Sequence, residues 1–216
     1  MVTQQCGMTD IVGGAPLPIV RGAEHNMGMP AVKRRWTAAE VRDLIAANPL
    51  KTPRYELVDG ELLVTPSPRP LHQIAVGELL HCLMTYLAAN PVGYALTSPS
   101  DVELEPEFLS QPDVYVVPMQ ELRRLRTKPP AKELLLIAEV LSPSSMRHDR
   151  VTKRPHYQRN VPEYWIIDLD TRLIERWQSA DQRPSLVTDV LEWHPAGAEA
   201  PFVMNIPAYF ERVFGE

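Results

Sequence analysis

A single carboxylate interrupts the most apolar run of the sequence. Glu139 stands within Leu134–Leu141, where every other residue is Leu, Ile, Ala or Val. An isolated charge buried among such side chains is costly, so it needs an internal salt bridge, a proton, or a bound cation shared with a second carboxylate. Asp113 is the candidate partner, because it opens the apolar run Val114–Val117 and adjacent strands could bring the two residues together. Mg²⁺ suits such a pair, since it binds one or two carboxylates and keeps most of its water.

A metal site that hydrolyses a phosphodiester also needs a residue such as lysine to orient or deprotonate the attacking water and to balance charge on the phosphoryl oxygens. Strand alternation would place residue 141 beside Glu139, but residue 141 is leucine. Lys153, on the helix that follows, is the nearest substitute. Structural alternatives stay open: Lys153 can pair with Asp149 at i, i+4, and Glu139 can pair with an arginine. Asp113 can be a turn residue before a strand.

The elements that must position these residues begin with a helix and a hairpin. Thr37 and Glu40 form a capping-box pattern, which predicts a helix that ends at Asn48–Pro49. Two short apolar runs around Asp59–Gly60 predict a β-hairpin. The spacing of apolar residues over 74–87 then predicts a second helix, ended by Asn90–Pro91.

The rest of the chain alternates short strands with one helix. Strands are predicted at residues 94–97, 102–104, 114–117 and 134–141, the last being a central strand covered on both faces. A helix over 150–160 leads into a second hairpin, 164–168 and 172–177, followed by a strand over 186–193 and a terminal segment, 206–214. The pattern predicts a mixed α/β (α+β) fold: a central mixed sheet flanked by helices, in a single domain over 33–216. Residues 1–32, rich in Gly and Pro, are predicted to be a mobile leader.

Composition excludes several classes of protein. A chain of 216 residues with 44% apolar residues can bury a core, so it is not a disordered chain. Cys6 and Cys82 are the two cysteines, too few for a disulfide framework or a Cys-based zinc site. The first 30 residues lack the pattern of a signal peptide, and no apolar run is long enough to span a membrane. A cytoplasmic location without membrane attachment is therefore expected.

Charge is unevenly distributed along the chain. The formal net charge is −5, yet residues 121–160 carry ten Lys or Arg and four acids, a local charge of +6. Such a segment can provide a phosphate-facing surface, and it can equally be a solvated basic face. On the first reading, its arginines would contact nucleic-acid phosphates: Arg123, Arg124, Arg147, Arg150 and Arg154.

Other chemistries fit the sequence less well. Ser142–Ser145 lacks the glycines of a nucleophile elbow, so a serine hydrolase is not indicated. His148 and His156 lack the spacing of a helical zinc site. A glycosidase with Asp113 and Glu139 as its acid pair would explain neither Lys153 nor the basic segment.

Seven segments form a pattern whose order and spacing are specific when taken together. They are Tyr55–Glu61, His72, Pro112–Val114, Ala138–Ser145, Asp149–Lys153, Tyr157 and Val161–Asp168. This succession resembles the Uma-type family of putative restriction endonucleases, of the PD-(D/E)XK nuclease superfamily. The resemblance extends from Trp36 to Phe214. The chain departs from the superfamily pattern at Leu141, where the lysine would stand, and has Asn160 where a glycine is common.

The resemblance implies the restriction-endonuclease-like fold and the same three residues: Asp113 and Glu139 as metal ligands, and Lys153 as the relocated lysine. It also suggests that Glu56 or Glu61 extends the metal shell. The remaining residues suggested to line the site are His72, Asp149 and Tyr157. For the two glutamates a solvated hairpin position is the competing interpretation, for His72 a local hydrogen bond, and for Tyr157 a packing role.

The function predicted from sequence is therefore hydrolysis of nucleic acid, with DNA as the expected substrate, Mg²⁺ as cofactor and Mn²⁺ as its substitute. A homodimer is compatible with this prediction. The alternative from another class is a nuclease-like module that binds nucleic acid without efficient hydrolysis. Because fold analogy does not establish turnover, both hypotheses stay open at this point.

Overall fold

The structure is a computed structural model, and it describes residues 34–127 and 129–216. The predicted leader, residues 1–32, lies outside the described residues. The α-helices are α1 (Ala38–Ala47), α2 (Pro70–Ala89), α3 (Met119–Leu125), α4 (Arg154–Asn160) and α5 (Ile206–Phe214). The strands are β1 (Arg54–Val58), β2 (Glu61–Thr65), β3 (Gly93–Thr97), β4 (Val102–Glu105), β5 (Phe108–Ser110), β6 (Val114–Pro118), β7 (Leu136–Val140), β8 (Glu163–Asp168), β9 (Leu173–Gln178), β10 (Ser185–Val187), β11 (Val190–Trp193) and β12 (Phe202–Asn205).

The first helix and hairpin form as their sequence signals predict. The side chain of Thr37 accepts a hydrogen bond from the Glu40 N–H while the Glu40 carboxylate accepts one from Thr37 N–H, which completes the capping box of α1. In the β1–β2 turn, Asp59 and Gly60 both have positive φ, 51° and 77°. Two such residues define the turn that matches the twist of a two-residue hairpin. These local predictions are confirmed.

The hairpin belongs to a four-stranded sheet with the order β2-β1-β5-β4. Strand β5 pairs antiparallel with β1, with Leu57 opposite Leu109. The sequence pattern did not predict β5. This strand has only three residues, too few to show a periodic pattern of apolar side chains.

The larger sheet has six strands in the order β10-β9-β8-β7-β6-β3. Strand β7 is antiparallel to β6 and parallel to β8. The crossover from β7 to β8 contains a π-helical segment, His148–Lys153, that continues directly into α4. The predicted central strand is therefore confirmed, and the helix predicted over 150–160 begins instead with this wider π turn.

The C-terminal region differs from the prediction. The single strand predicted over 186–193 is wrong, because β10 joins the six-stranded sheet whereas β11 pairs with β12 in a separate two-stranded sheet. The terminal segment forms α5, capped by Asn205, whose side chain accepts from Ala208 N–H.

The core lies on both faces of the six-stranded sheet. Leu136, Ala138 and Val140 of β7 point to one face, in a cluster that includes buried residues of α2 and α5. Ile137 points to the other face, in a cluster with Tyr157 of α4. This arrangement confirms the predicted mixed fold with helices flanking a mixed sheet. In residues 34–127 and 129–216, every helix is too short or too polar to cross a membrane.

Candidate active site

The adjoining ends of β6 and β7 bring Asp113 and Glu139 together. The antiparallel register sets Val114 opposite Ala138, so Asp113 faces Glu139 one residue further on. The Asp113 N–H donates to Glu139 Oε2 at 3.1 Å, and the Val140 N–H donates to Asp113 Oδ2 at 3.0 Å. Only 3% of Asp113 and 2% of Glu139 are exposed. Backbone donors of the sheet thus fix both carboxylates in position.

Two side chains from other elements hold Asp113. Arg54 of β1 donates from Nη1 to Asp113 Oδ1 at 2.8 Å, and also to the Gln111 carbonyl and to Ser98 Oγ. His72, in the first turn of α2, places Nε2 3.0 Å from Asp113 Oδ2. Burial alone would raise the pKa of Asp113, but the His72 hydrogen bond and the Arg54 charge outweigh it and lower that pKa. Asp113 is therefore ionised at neutral pH.

Lys153 joins three buried carboxylates. Its Nζ lies 3.0 Å from Glu56 Oε2, 3.2 Å from Glu139 Oε1 and 3.2 Å from Asp149 Oδ1. Burial would lower the pKa of Lys153, but Glu139, Glu56 and Asp149 raise it well above its ordinary value. The ammonium group is thus charged at neutral pH.

The π-helical segment positions these contacts. Asp149 and Lys153 lie four residues apart within it, and Tyr157 follows four residues later on α4. The Tyr157 hydroxyl donates to Glu139 Oε1 at 3.0 Å. Short π segments are rare and occur often at functional sites, because the wider turn redirects side chains.

With all four of its carboxylates ionised, the buried cluster would carry more negative than positive charge. Four carboxylates (Glu56, Asp113, Glu139 and Asp149) surround two side chains that are cationic at neutral pH, Arg54 and Lys153. Burial raises the pKa of Glu139 to about 8; Lys153 opposes this rise, and the neighbouring carboxylates add to it. Burial likewise raises the pKa of Asp149.

This surplus of negative charge is what a divalent cation would balance. Asp113 and Glu139 fit an ion of the Mg²⁺ type, which needs only one or two carboxylates and completes its shell with water. Among the described residues no group of three or more His, Cys, Asp or Glu is spaced to hold a metal ion.

A cleft of about 210 Å³ opens beside this cluster. It lies between the β2–α2 connector and the loop after β7. Arg54 and His72, the two side chains that hold Asp113, form part of its lining.

Comparison with known proteins places this chain in a family. The family model Uma2, described as "Putative restriction endonuclease", matches residues 41–198 of the chain. The chain belongs to the Uma2 family. The match spans α1 to the region after β11 and so includes every residue of the cluster.

A solved structure shares the fold. It is the crystal structure of a "putative nuclease belonging to DUF820" from Anabaena variabilis, with a TM-score of 0.63 and 16% sequence identity. The superposition covers 79% of this Uma2 chain and 97% of the other. At that identity the likeness supports the fold. Among curated proteins, no relative matches.

The two hairpin glutamates of this Uma2 chain have different surroundings. Glu56 is 1% exposed, accepts from Gln111 N–H at 2.8 Å and contacts Lys153. Glu61 is exposed at the start of β2. The cluster thus contains Glu56, as well as the suggested Asp149, His72 and Tyr157, whereas Glu61 occupies the solvated position that was the competing interpretation.

The five arginines predicted to contact phosphates have different surroundings. Three have partners within the protein: Arg124 with Glu121 at 2.7 Å, Arg150 with Asp168 and Glu175, and Arg154 over the Trp177 ring at 4.5 Å. Arg123 and Arg147 are exposed. The structure does not bring the five together at the cluster.

Sequence reasoning missed Arg54. It stands two residues before Glu56 on β1, so the alternation of strand side chains puts both on one face. That spacing is the signal that could have found it. An arginine whose side chain is 11% exposed, paired with a carboxylate that is itself buried, belongs to the candidate site.

Proposed function

We propose that this protein is a Mg²⁺-dependent endonuclease that hydrolyses phosphodiester bonds of DNA, in the manner of the PD-(D/E)XK nucleases. The observation that carries the proposal is the facing pair of buried carboxylates, Asp113 and Glu139, in a cluster of four carboxylates and two cationic side chains. Membership of a family described as restriction endonucleases supports the same reaction.

The roles of the residues follow from their contacts. Asp113 and Glu139 would hold the cation, and the N–H groups of Asp113 and Val140 keep the two carboxylates oriented. When bound, the cation supplies polarisation of a phosphoryl oxygen and a lower pKa for water. Arg54 and His72 position Asp113 and keep it ionised.

Lys153 acts through its charge. Because its pKa is raised well above the ordinary value, it does not accept a proton from water at neutral pH. Its ammonium nitrogen lies within 3.2 Å of three carboxylates, so Lys153 holds Glu56 and Glu139 in the cluster. Contact with an attacking water requires that one of these ion pairs opens.

One observation favours the second candidate, a module that binds nucleic acid without hydrolysis. Every carboxylate oxygen of Asp113 and Glu139 already has a protein donor: Arg54, His72 and Val140 N–H for the first, and Lys153, Tyr157 and Asp113 N–H for the second. A cation must compete with these donors. The predicted homodimer stays a prediction in either case.

A cleavage assay separates the two functions. Supercoiled plasmid, single-stranded DNA and RNA are incubated with Mg²⁺, Mn²⁺ or chelator, using wild type, Asp113→Asn and Glu139→Gln. We expect metal-dependent products on DNA from the wild type and a loss of at least about 100-fold in each variant, since residues that only support metal ligands already contribute about 10- to 100-fold.

Glu199→Gln is the matched control. Glu199 is exposed, and this substitution removes the same charge as Glu139→Gln but away from the cluster. Gel retention is measured with the same proteins. Retention without cleavage by any of them would support the binding module and contradict the nuclease.

A further inference from the structure

A second cavity, of about 130 Å³, opens at the edge of the six-stranded sheet where the parallel strands β7 and β8 end. Residues of three segments line it: the N-terminal end of α2, the loop after β7 and the turn after β8. In open α/β sheets, ligands bind in crevices outside the carboxyl ends of the strands. The position of this cavity therefore favours a ligand site.

Apolar side chains form most of the wall of this cavity. Leu141 is buried, and Leu71 and Leu169 are half-buried. Pro143 and Met146 are exposed and complete the apolar part of the lining. A cavity of about 150 Å³ with apolar walls admits benzene. This cavity therefore has room for one planar aromatic ring.

Two charged side chains of the lining are available to a ligand. Arg69 and Asp170 are exposed, and within the part of the chain that the structure describes neither side chain has a hydrogen-bond or ion-pair partner. Asp168 differs, because both of its oxygens have partners. Its Oδ1 accepts from the N–H groups of Asp170 and Thr171, and its Oδ2 accepts from Arg150. The cavity thus offers a ligand one acceptor carboxylate, on a turn that is itself hydrogen-bonded, and one donor guanidinium.

This composition suits a nucleobase better than a phosphate. The Asp170 carboxylate repels an anion, whereas a nucleobase is a neutral aromatic ring with both donors and acceptors on its edge. Among the bases with a single ring, cytosine has an amino group from which a carboxylate can accept. Thymine has a carbonyl oxygen in place of that amino group, and this oxygen would face the Asp170 carboxylate.

We propose that this cavity binds an unpaired cytosine base of the nucleic acid, with Asp170 accepting from its amino group and Arg69 donating to its ring acceptors. The proposal rests on the nuclease function proposed above and names a base preferred beside the cleaved bond. His72 connects the two sites, because it lines the cavity and its Nε2 lies 3.0 Å from Asp113 Oδ2. A base bound in the cavity has left the duplex stack, so single-stranded or locally opened DNA is the expected substrate.

Nucleoside binding in the presence of chelator tests the base site without phosphate, metal or hydrolysis. The protein is labelled with ¹³C at its methionine methyl groups, and Met146→Leu assigns the signal of the methionine that lines the cavity. Deoxycytidine, thymidine and deoxyguanosine are titrated into wild type, Asp170→Asn and Asp43→Asn. Asp43 is exposed on α1, so the third protein has the same change of charge outside the cavity lining. Circular dichroism checks that the variants fold.

We expect deoxycytidine to shift the Met146 methyl signal equally in the wild type and in Asp43→Asn. Its affinity should fall about tenfold in Asp170→Asn, because a hydrogen bond to a charged group is lost. Thymidine should bind the wild type about tenfold more weakly than deoxycytidine, and Asp170→Asn should remove this difference because an amide can donate to the thymine carbonyl. No shift with any nucleoside, tighter binding of thymidine or deoxyguanosine than of deoxycytidine, or unchanged deoxycytidine binding by Asp170→Asn would overturn the base site.

Base binding and cleavage are separable in these measurements. If the wild type cleaves DNA while the Met146 signal does not respond to nucleosides, the base site fails and the nuclease stands. If deoxycytidine binds as expected without any cleavage of DNA, the base site stands and the nuclease fails.

Single-stranded oligonucleotides extend the test to a polymer. The non-cleaving Glu139→Gln protein should bind oligo-deoxycytidine more tightly than oligo-thymidine of the same length, and the addition of Asp170→Asn should remove this preference. Equal binding of the two oligonucleotides by Glu139→Gln, or a preference that survives Asp170→Asn, would contradict the assignment of the cavity to cytosine.

Discussion

The five residues of β7 alternate between two faces of the sheet that differ in polarity. Leu136, Ala138 and Val140 point to the α2–α5 side and meet only apolar neighbours in their cluster. On the other face Glu139 alternates with Ile137 and is bonded to Lys153 and Tyr157 from the crossover. The first face needs nothing from distant charged residues, whereas the second depends on partners from three other parts of the chain.

The apolar face of β7 contributes packing to the stability of the fold, whereas the other face carries a residue of the candidate active site. An apolar side chain at position 139 would pack without the desolvation cost of a carboxylate, and Lys153 would keep its ion pairs with Glu56 and Asp149. Burying Glu139 therefore does not serve the fold. Substitutions on the two faces should therefore have different effects on stability.

The largest expected effect is that of Lys153→Met. This change leaves three buried carboxylates without their cation, and breaking a buried pair in this way costs about 3–5 kcal/mol of unfolding free energy. The loss should be smaller at pH 5 than at pH 8, because the pKa of Glu139 and of Asp149 is raised and protonation relieves the repulsion. Denaturant unfolding at the two pH values measures it.

Leu136→Ala on the opposite face is the control. It should cost about 2–5 kcal/mol at either pH, because it removes packing and no charge. A loss for Lys153→Met that is the same at pH 5 and pH 8 would contradict the charge imbalance of the cluster.

The second effect is the pH dependence of the wild type. Since the pKa of Glu139 is raised to about 8 in the folded state, the folded protein binds more protons than the unfolded chain between about pH 4.5 and pH 8. Without metal, stability should fall over this window as the pH rises, on the order of a few kcal/mol. The lowered pKa of Asp113 acts below this window, where its stabilisation is lost as the pH falls.

Chemical denaturation in chelator, from pH 5 to pH 8, measures this slope. Glu139→Gln should flatten it, and Leu136→Ala should leave it unchanged. A wild-type unfolding free energy that rises from pH 5 to pH 8 would contradict the raised pKa of Glu139.

The smallest effect on stability, with a large effect on activity, is expected for Glu139→Gln. It removes one of the unbalanced charges while it keeps the side-chain shape, so the unfolding free energy at pH 8 should stay within about 1 kcal/mol of the wild type or rise. Thermal and denaturant unfolding in chelator measure this. A destabilisation as large as that of Leu136→Ala would show that the carboxylate serves the fold.

Local chemistry predicted much of this structure. The capping box of α1, the Asp59–Gly60 turn and the central β7 each follow from residues near one another in sequence. Glu139 could be recognised because a charge within an apolar run is conspicuous. Its pairing with Asp113 followed from the expected neighbouring strands.

Long-range pairing set the limits of prediction. Strand β5 is defined by its partners β1 and β4. Between β10 and β11 the chain changes sheets, and there the Asp189 carbonyl accepts from Ile206 N–H at the start of α5. The spacing of Arg54 and Glu56 on β1 indicates a shared face, but Asp113, the partner of Arg54, lies 59 positions away in sequence.

Glu56 and Glu61 lie on the same face of the hairpin, because Glu61 is opposite Val58 and Glu56 is opposite Leu63. Glu61 is nevertheless exposed, at the end of that face next to the turn, whereas Glu56 is buried, a difference that strand alternation alone does not predict.

Direct binding of Mn²⁺ tests most plainly whether Asp113 and Glu139 form a cation site. Electron paramagnetic resonance can count the bound ions in wild type, Asp113→Asn, Glu139→Gln and the control Glu199→Gln. We predict one Mn²⁺ per chain in the wild type and the control, displaced by Mg²⁺, and loss of binding in the other two. No Mn²⁺ binding to the wild type, or binding that survives both substitutions, would show that Arg54 and Lys153 are the only cations these carboxylates hold.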